Sequence, residues 1–73
     1  MNLKQLEAFY LVIKRRSYTK AAEELNVTQP AVTIQVKALE ESLNLKLIQQ
    51  VGKRVHLSEA GEVLYQYAEK IFD

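Results

Sequence analysis

A mainly α fold of three helices, a short two-stranded hairpin and a closing helix is predicted by three features of this 73-residue sequence. Apolar residues recur three and four positions apart along most of the chain, which is the helical period. That period breaks around Gly52, where a hairpin fits. Two of the helical stretches are separated only by Asn26-Val27-Thr28, room for one tight turn.

The first helix is predicted from Leu3, Leu6, Phe9, Tyr10 and Ile13 on one face, with Lys4, Glu7 and Lys14 between them. The polar run Lys14-Arg15-Arg16-Ser17 marks its end, and its cations suit a helix C-terminus. The second helix runs from about Thr19 to Leu25, capped by Ser17 or Thr19, with Ala21, Ala22 and Leu25 inward. Asn26 ends it, because asparagine tolerates left-handed geometry. Thr28 caps the third helix and Pro30 falls in its first turn, where a missing N–H does no harm. This helix is expected to reach about Ser42, with Val32, Val36, Leu39 and Leu43 as its buried stripe. Two strands follow: one within Leu45–Gln50, then Val51-Gly52-Lys53-Arg54 as the turn, then Val55-His56-Leu57. Ser58 caps the last helix, whose stripe is Ala60, Leu64, Tyr67 and Ile71, widened by Val63 and Ala68. The stretch reaches Asp73 with no stop signal, so a helix that continues in a longer protein is expected.

Composition narrows the class of function. The chain has no cysteine and one histidine, which excludes a disulfide scaffold and leaves no metal-ligand set; a reducing, cytoplasmic location is expected. No apolar run approaches the roughly 20 residues that span a bilayer, and Lys4, Gln5 and Glu7 interrupt any signal peptide. Paired carboxylates occur only as Glu23-Glu24 and Glu40-Glu41 on outward faces, with no phosphate loop and no nucleophile–base pair. An enzyme is therefore not expected, and neither is membrane binding. His56, between Val55 and Leu57, is expected to point outward. Net charge is +1, but residues 1–58 carry +4 and residues 59–73 carry −3. A positive body suits a polyanionic partner.

Ala22, Asn26 and Val32 have the spacing of a helix-turn-helix: a small residue at the crossing, a turn-former, and an apolar lock on the second helix. Such a unit presents its second helix to the DNA major groove. Gln29 and Thr33 are the candidate base readers, since an amide can pair with adenine and a hydroxyl with any base edge. Pro30 and Ile34 are apolar on the same side and suit thymine methyl groups. Thr28 and Lys37 are candidate phosphate contacts. Lys53 and Arg54 make the hairpin tip cationic, fit for the backbone or the minor groove, with Arg16 and Lys20 as lesser candidates.

With these elements in place, the sequence resembles the N-terminal winged helix-turn-helix domain of the LysR-type transcriptional regulators along essentially its whole length. The likeness lies in Leu3-Lys4-Gln5-Leu6-Glu7-Ala8-Phe9, Ser17-Tyr18-Thr19-Lys20-Ala21-Ala22-Glu23-Glu24-Leu25 and Val27-Thr28-Gln29-Pro30-Ala31-Val32-Thr33. It continues through Lys37-Ala38-Leu39-Glu40, Leu43 to Leu47 and Leu57-Ser58-Glu59-Ala60-Gly61. The resemblance implies a winged helix-turn-helix DNA-binding domain over residues 1–58 and the start of a linker and dimerisation helix over residues 59–73. It implies Gln29, Pro30, Thr33 and Ile34 at base-reading positions, Thr28 and Lys37 at the backbone, and Lys53 in the wing. It further implies double-stranded DNA as partner, a homodimer on a palindromic operator, a tetramer for the full-length protein, and RNA polymerase as a further contact. No cofactor is implied in this domain; a small-molecule effector is expected in a domain beyond it.

The sequence departs from the family pattern at Arg16 and Asn44, where glycine is usual, and at Leu47-Ile48-Gln49-Gln50, which replaces leucine-phenylalanine-any-arginine. Gln50 removes a positive charge near the DNA backbone, which Arg54 offsets in part. Ile34 stands where basic or polar residues are common, pointing to a methyl contact. Few base contacts fit on one module this small, so two copies on a symmetric site are expected, joined through Leu64, Tyr67 and Ile71. A protein-interaction module using the same surface is the alternative; its binding would respond little to salt.

Overall fold

The computed structural model describes residues 1–73 as α1 (Leu3–Arg15), α2 (Tyr18–Leu25), α3 (Gln29–Leu43), β1 (Ile48–Val51), β2 (Arg54–Leu57) and α4 (Glu59–Phe72). This is a winged helix-turn-helix: three helices, a two-stranded wing and a following helix.

The side chain of Asn2 opens α1 by accepting from the Gln5 N–H at 2.8 Å. Leu6, Ala8, Phe9, Tyr10, Leu11 and Val12 are all buried, because α1 packs against α2, α3 and α4 together. The apolar arc is therefore wider than the predicted stripe, and Leu3, expected inside, is 65% exposed. Ser17 caps α2 through its hydroxyl, accepting from the Lys20 N–H at 3.0 Å, so the helix starts at Tyr18 and not at Thr19. Thr28 caps α3 in the same manner, accepting from Ala31 at 3.3 Å. Val32, Val36 and Leu39 are buried as expected, while Leu43 is half-buried. Each fully buried side chain of this kind contributes about 1.5–3 kcal/mol relative to an exposed one.

The first strand begins at Ile48, three residues later than the earliest expected start at Leu45. Leu45 is exposed and Leu47 is buried, and the Leu47 N–H is taken by the Glu40 carboxylate at 2.8 Å, outside any ladder. The strands pair antiparallel in the register Ile48↔Leu57, Gln49↔His56, Gln50↔Val55 and Val51↔Arg54. Only Gly52 and Lys53 form the turn, with φ +62° at Gly52, so Val51 and Arg54 belong to the strands.

Ser58 ties α4 to the rest of the chain. Its hydroxyl accepts from the Gly61 N–H at 3.0 Å and donates to the Lys46 carbonyl, and its own N–H donates to the Leu47 carbonyl at 2.9 Å. Gly61 is buried there: a Cβ on it would lie 2.2 Å from the Leu47 carbonyl oxygen. The inward face of α4 is thus Gly61, Tyr65, Ala68 and Phe72, one residue out of step with the predicted stripe. Tyr65 and Phe72 stack on Tyr10 at 5.6 and 5.3 Å between ring centroids. Ala60 and Leu64 flank this face, half-buried, whereas Tyr67 and Ile71 point outward.

Candidate nucleic-acid interface

The α2–α3 pair is held by short-range chemistry. Asn26 ends α2 with φ 59°, its N–H donating to the Glu23 carbonyl, and Val27 donates to the Ala22 carbonyl at 3.0 Å. Ala21 and Ala22 are 0% and 4% exposed, small enough for α3 and α1 to close on α2, and Val32 is buried in that contact. With Val32, Val36 and Leu39 facing inward, the opposite side of α3 faces solvent.

Gln29, Pro30, Ile34 and Lys37 are exposed on that side and Thr33 is half-buried among them. The Gln29 amide donates to the Thr33 hydroxyl at 3.0 Å, and the hydroxyl donates back to the Gln29 carbonyl at 3.3 Å. The pair is thereby held together, with the Gln29 Oε1 uncommitted within the chain. An amide so oriented loses less side-chain freedom on meeting a base edge. Ile34 is 64% exposed, an apolar side chain with no partner of its own on a polar face. Thr28, also exposed, stands at the N-terminus of α3, where the helix dipole favours a phosphate oxygen.

Two clefts border Gln29. One is lined by Tyr18, Thr33, Lys37, Glu40, Lys46 and Gln50 along with Gln29 itself; the other joins Gln29 and Gln50 to Arg16, Ser17, Tyr18 and Lys53. The wing therefore stands beside the N-terminal half of α3, and Lys53 shares a cleft with Gln29. Arg54, paired with Val51 at the end of β2, is exposed outside both clefts. His56 is exposed on β2, as its position between two apolar residues predicts.

The ion pairs leave this side positive. Lys14 binds Asp73 at 2.8 Å and Arg15 binds Glu24 at 2.7 Å, both away from the clefts. The hydrogen bond and charge of Glu24 raise the Arg15 guanidinium further above its ordinary range. Arg16, Lys37, Lys46, Lys53 and Arg54 have no acidic partner within the chain. Tyr18, Lys46 and Glu40 are members of this site that the motif spacing does not single out. Tyr18 follows a cap and reads as the helix start, and Lys46 reads as loop. Burial, and after it the Glu40 carboxylate, raises the Tyr18 hydroxyl above its usual value, so the phenol is a neutral hydrogen-bonding group at physiological pH.

The residues expected to join two copies divide between two environments. Leu64 is half-buried against the core of its own chain, while Tyr67 and Ile71 are 60% and 55% exposed and, with Val63 at 54%, form an apolar row along α4.

Comparison with known proteins places this geometry among relatives. The model of the family described as "Bacterial regulatory helix-turn-helix protein, lysR family" matches residues 3–62. The chain is 45% identical over 71 residues to the RuBisCO operon transcriptional regulator of Allochromatium vinosum, covering 97% of this chain and 24% of that protein. It is 42% identical over 71 residues to the regulator of the same description from Acidithiobacillus ferrooxidans, covering 97% of this chain and 23% of that one. The chain thus spans about a quarter of the length of these curated relatives. Among solved structures, the BenM DBD in complex with catB site 1 DNA superposes with a TM-score of 0.91 at 37% identity, over 97% of this chain and 79% of that one. The complex of the CbnR DBD with DNA gives 0.90 at 32% identity, over 97% and 82%. No helix is long and apolar enough to cross a membrane.

Proposed function

This chain belongs to the lysR family of bacterial regulatory helix-turn-helix proteins, DNA-binding regulators of transcription, and from that premise we propose that it reads an operator by laying α3 in the major groove. One observation carries the reading: Val32, Val36 and Leu39 anchor α3 while Gln29, Pro30, Thr33 and Ile34 are left on its open side. Gln29 and Thr33 meet base edges, Pro30 and Ile34 meet thymine methyl groups, and Thr28 and Lys37 hold the flanking phosphates. Lys53 and Arg54 place the wing on the backbone or in the adjacent minor groove, with affinity drawn from counterion release. That relatives of similar fold are seen on DNA supports the same use of this face.

Each bidentate base contact discriminates by about 1–3 kcal/mol, too little on one α3 for a unique site. Two copies on a palindromic operator supply the rest. In this reading residues 1–58 are the DNA-binding unit and residues 59–73 begin a linker helix whose Tyr67 and Ile71, with the outer side of Leu64, meet a second copy. The greater length of the relatives supports a longer protein; the effector-binding domain, tetrameric assembly and contact with RNA polymerase that the reading places beyond this domain rest on the family resemblance alone.

Selection of bound sequences from a random DNA pool at fixed salt tests the proposal. Recovery of a two-fold symmetric site with half-sites a whole number of helical turns apart is expected; recovery of no consensus overturns it. On that site Gln29→Ala should change the preferred base at one position, whereas Lys53→Ala should weaken binding equally on all sequences. Binding indifferent to salt and to the loss of Lys37, Lys53 and Arg54 would instead mark the surface as a protein-interaction face.

A further inference from the structure

Glu40 is an acid lining the cleft beside Gln29, Thr33 and Lys37, where a DNA-facing surface gains nothing from negative charge. It forms no ion pair, despite Lys37 and Lys46 in the same cleft. Its contacts lie elsewhere. Oε2 accepts the Leu47 N–H at 2.8 Å and the Ile48 N–H at 3.1 Å, and its main-chain carbonyl accepts the Leu45 N–H at 3.1 Å. Three amides of the segment that leaves α3 and enters β1 therefore end on one residue of α3. Hydrogen bonds from N–H groups to a carboxylate are roughly twice as strong as neutral ones. The far side of the same segment is held by Ser58, through the carbonyls of Lys46 and Leu47. Removal of the carboxylate therefore loosens one side of the wing's root and leaves the other tied.

We propose that Glu40 is a positioning residue for DNA binding, which fixes the root of the wing to α3 so that Lys53 and Arg54 reach phosphate while Gln29 reaches a base. The inference rests on the DNA-reading role of α3 and the wing given above. Without the clamp, β1 and β2 still pair, but the wing samples several settings relative to α3, and its two cations contribute on average less to the bound state.

The test is a double-mutant cycle in the 73-residue chain, with affinity for the selected operator measured over a range of salt. In the native background, Lys53→Ala with Arg54→Ala should lower the slope of log affinity against log salt by nearly 2, about 0.9 for each phosphate contact. In the Glu40→Ala background the same pair should lower it by less than about 1. The base preference set by Gln29 should be the same in both backgrounds, and Glu40→Gln, which retains an acceptor oxygen, should restore most of the native response. Faster hydrogen exchange at the Leu47 and Ile48 amides in Glu40→Ala should accompany the loss. If Glu40→Ala does not fold, Glu40→Met, with similar length and helix propensity but no strong acceptor, replaces it with the same expectation. An equal drop in slope in both backgrounds overturns the role of Glu40 while leaving the wing contacts standing. No drop in the native background overturns the wing contacts themselves, and the positioning role with them.

Discussion

Arg16, Asn26 and Asn44 each end a helix in left-handed backbone, with φ of 54°, 59° and 54°. A residue with a Cβ is strained there by roughly 1–2 kcal/mol, asparagine less because its side chain bonds locally. Arg16 is thus the most strained of the three and the one that lines a cleft with Gln29 and Lys53. Arg16→Gly should stabilise the chain by about 1 kcal/mol, the relief of strain being offset in part by glycine's greater freedom when unfolded. In the DNA-reading assignment the same change should weaken operator binding at low salt, through loss of one cation. Urea titration and binding at two salt concentrations check the pair of effects; Asn44→Gly, with less strain to relieve, should change stability by a few tenths of a kcal/mol at most.

At the scale of elements, the junction of β1 with α4 has the least tolerance. Alanine at Gly61 would gain up to about 1 kcal/mol of helix propensity. Its Cβ would also sit 2.2 Å from the Leu47 carbonyl oxygen, a main-chain atom that cannot swing away. Overpacking of this kind costs about 1–3 kcal/mol and more against rigid backbone. The clash wins, and Gly61→Ala should lower stability by about 2 kcal/mol in urea. The same glycine explains what the sequence disclosed about α4 and what it hid. Ala60, Leu64, Tyr67 and Ile71 form one apolar stripe and Gly61, Tyr65, Ala68 and Phe72 another, offset by one residue. Hydrophobic periodicity favours the first, because glycine scores as no apolar residue at all; close approach selects the second. The caps Thr28 and Ser58 were legible and Ser17 was one of two candidates, each a hydroxyl placed just before a helical period, whereas Asn2 as the cap of α1 was not singled out. The open face of α3 was legible too, fixed by the apolar spacing opposite it. The Glu40 clamp was not, because it joins a carboxylate to amides seven and eight residues away, across the irregular segment between α3 and β1. Tyr18 was hidden because it reads as a helix start, and its place beside Gln29 depends on how α2 packs across α3.

For the whole molecule, the outer row of α4 and two half-buried tyrosines each give a measurable outcome. If Tyr67 and Ile71 join two copies, the thermal midpoint should rise with protein concentration by mass action, and Ile71→Glu should abolish that dependence without lowering the midpoint of the dilute chain. Tyr18 and Tyr65 are both raised above the ordinary tyrosine value of 10.0, in each case by burial first and a neighbouring carboxylate second, Glu40 for Tyr18 and Glu69 for Tyr65. Around Tyr65 the charges of Lys14 and Arg16 act in the opposite direction. The folded chain then keeps phenolic protons that the unfolded chain gives up, so stability is complete below pH 10 and falls as pH rises through and beyond it. Tyr18→Phe should flatten that fall between neutral and alkaline urea titrations. The three-residue link between α2 and α3 has a last effect on the protein as a whole. So short a tether, with Ala22 and Val32 both buried in the core that α2 and α3 share, gives the two helices a single joint posture. A changed target cannot be met by tilting α3 alone. If α3 reads bases as proposed, new specificity in this scaffold comes from exchanging the side chains that α3 carries and not from a change in the angle between the helices.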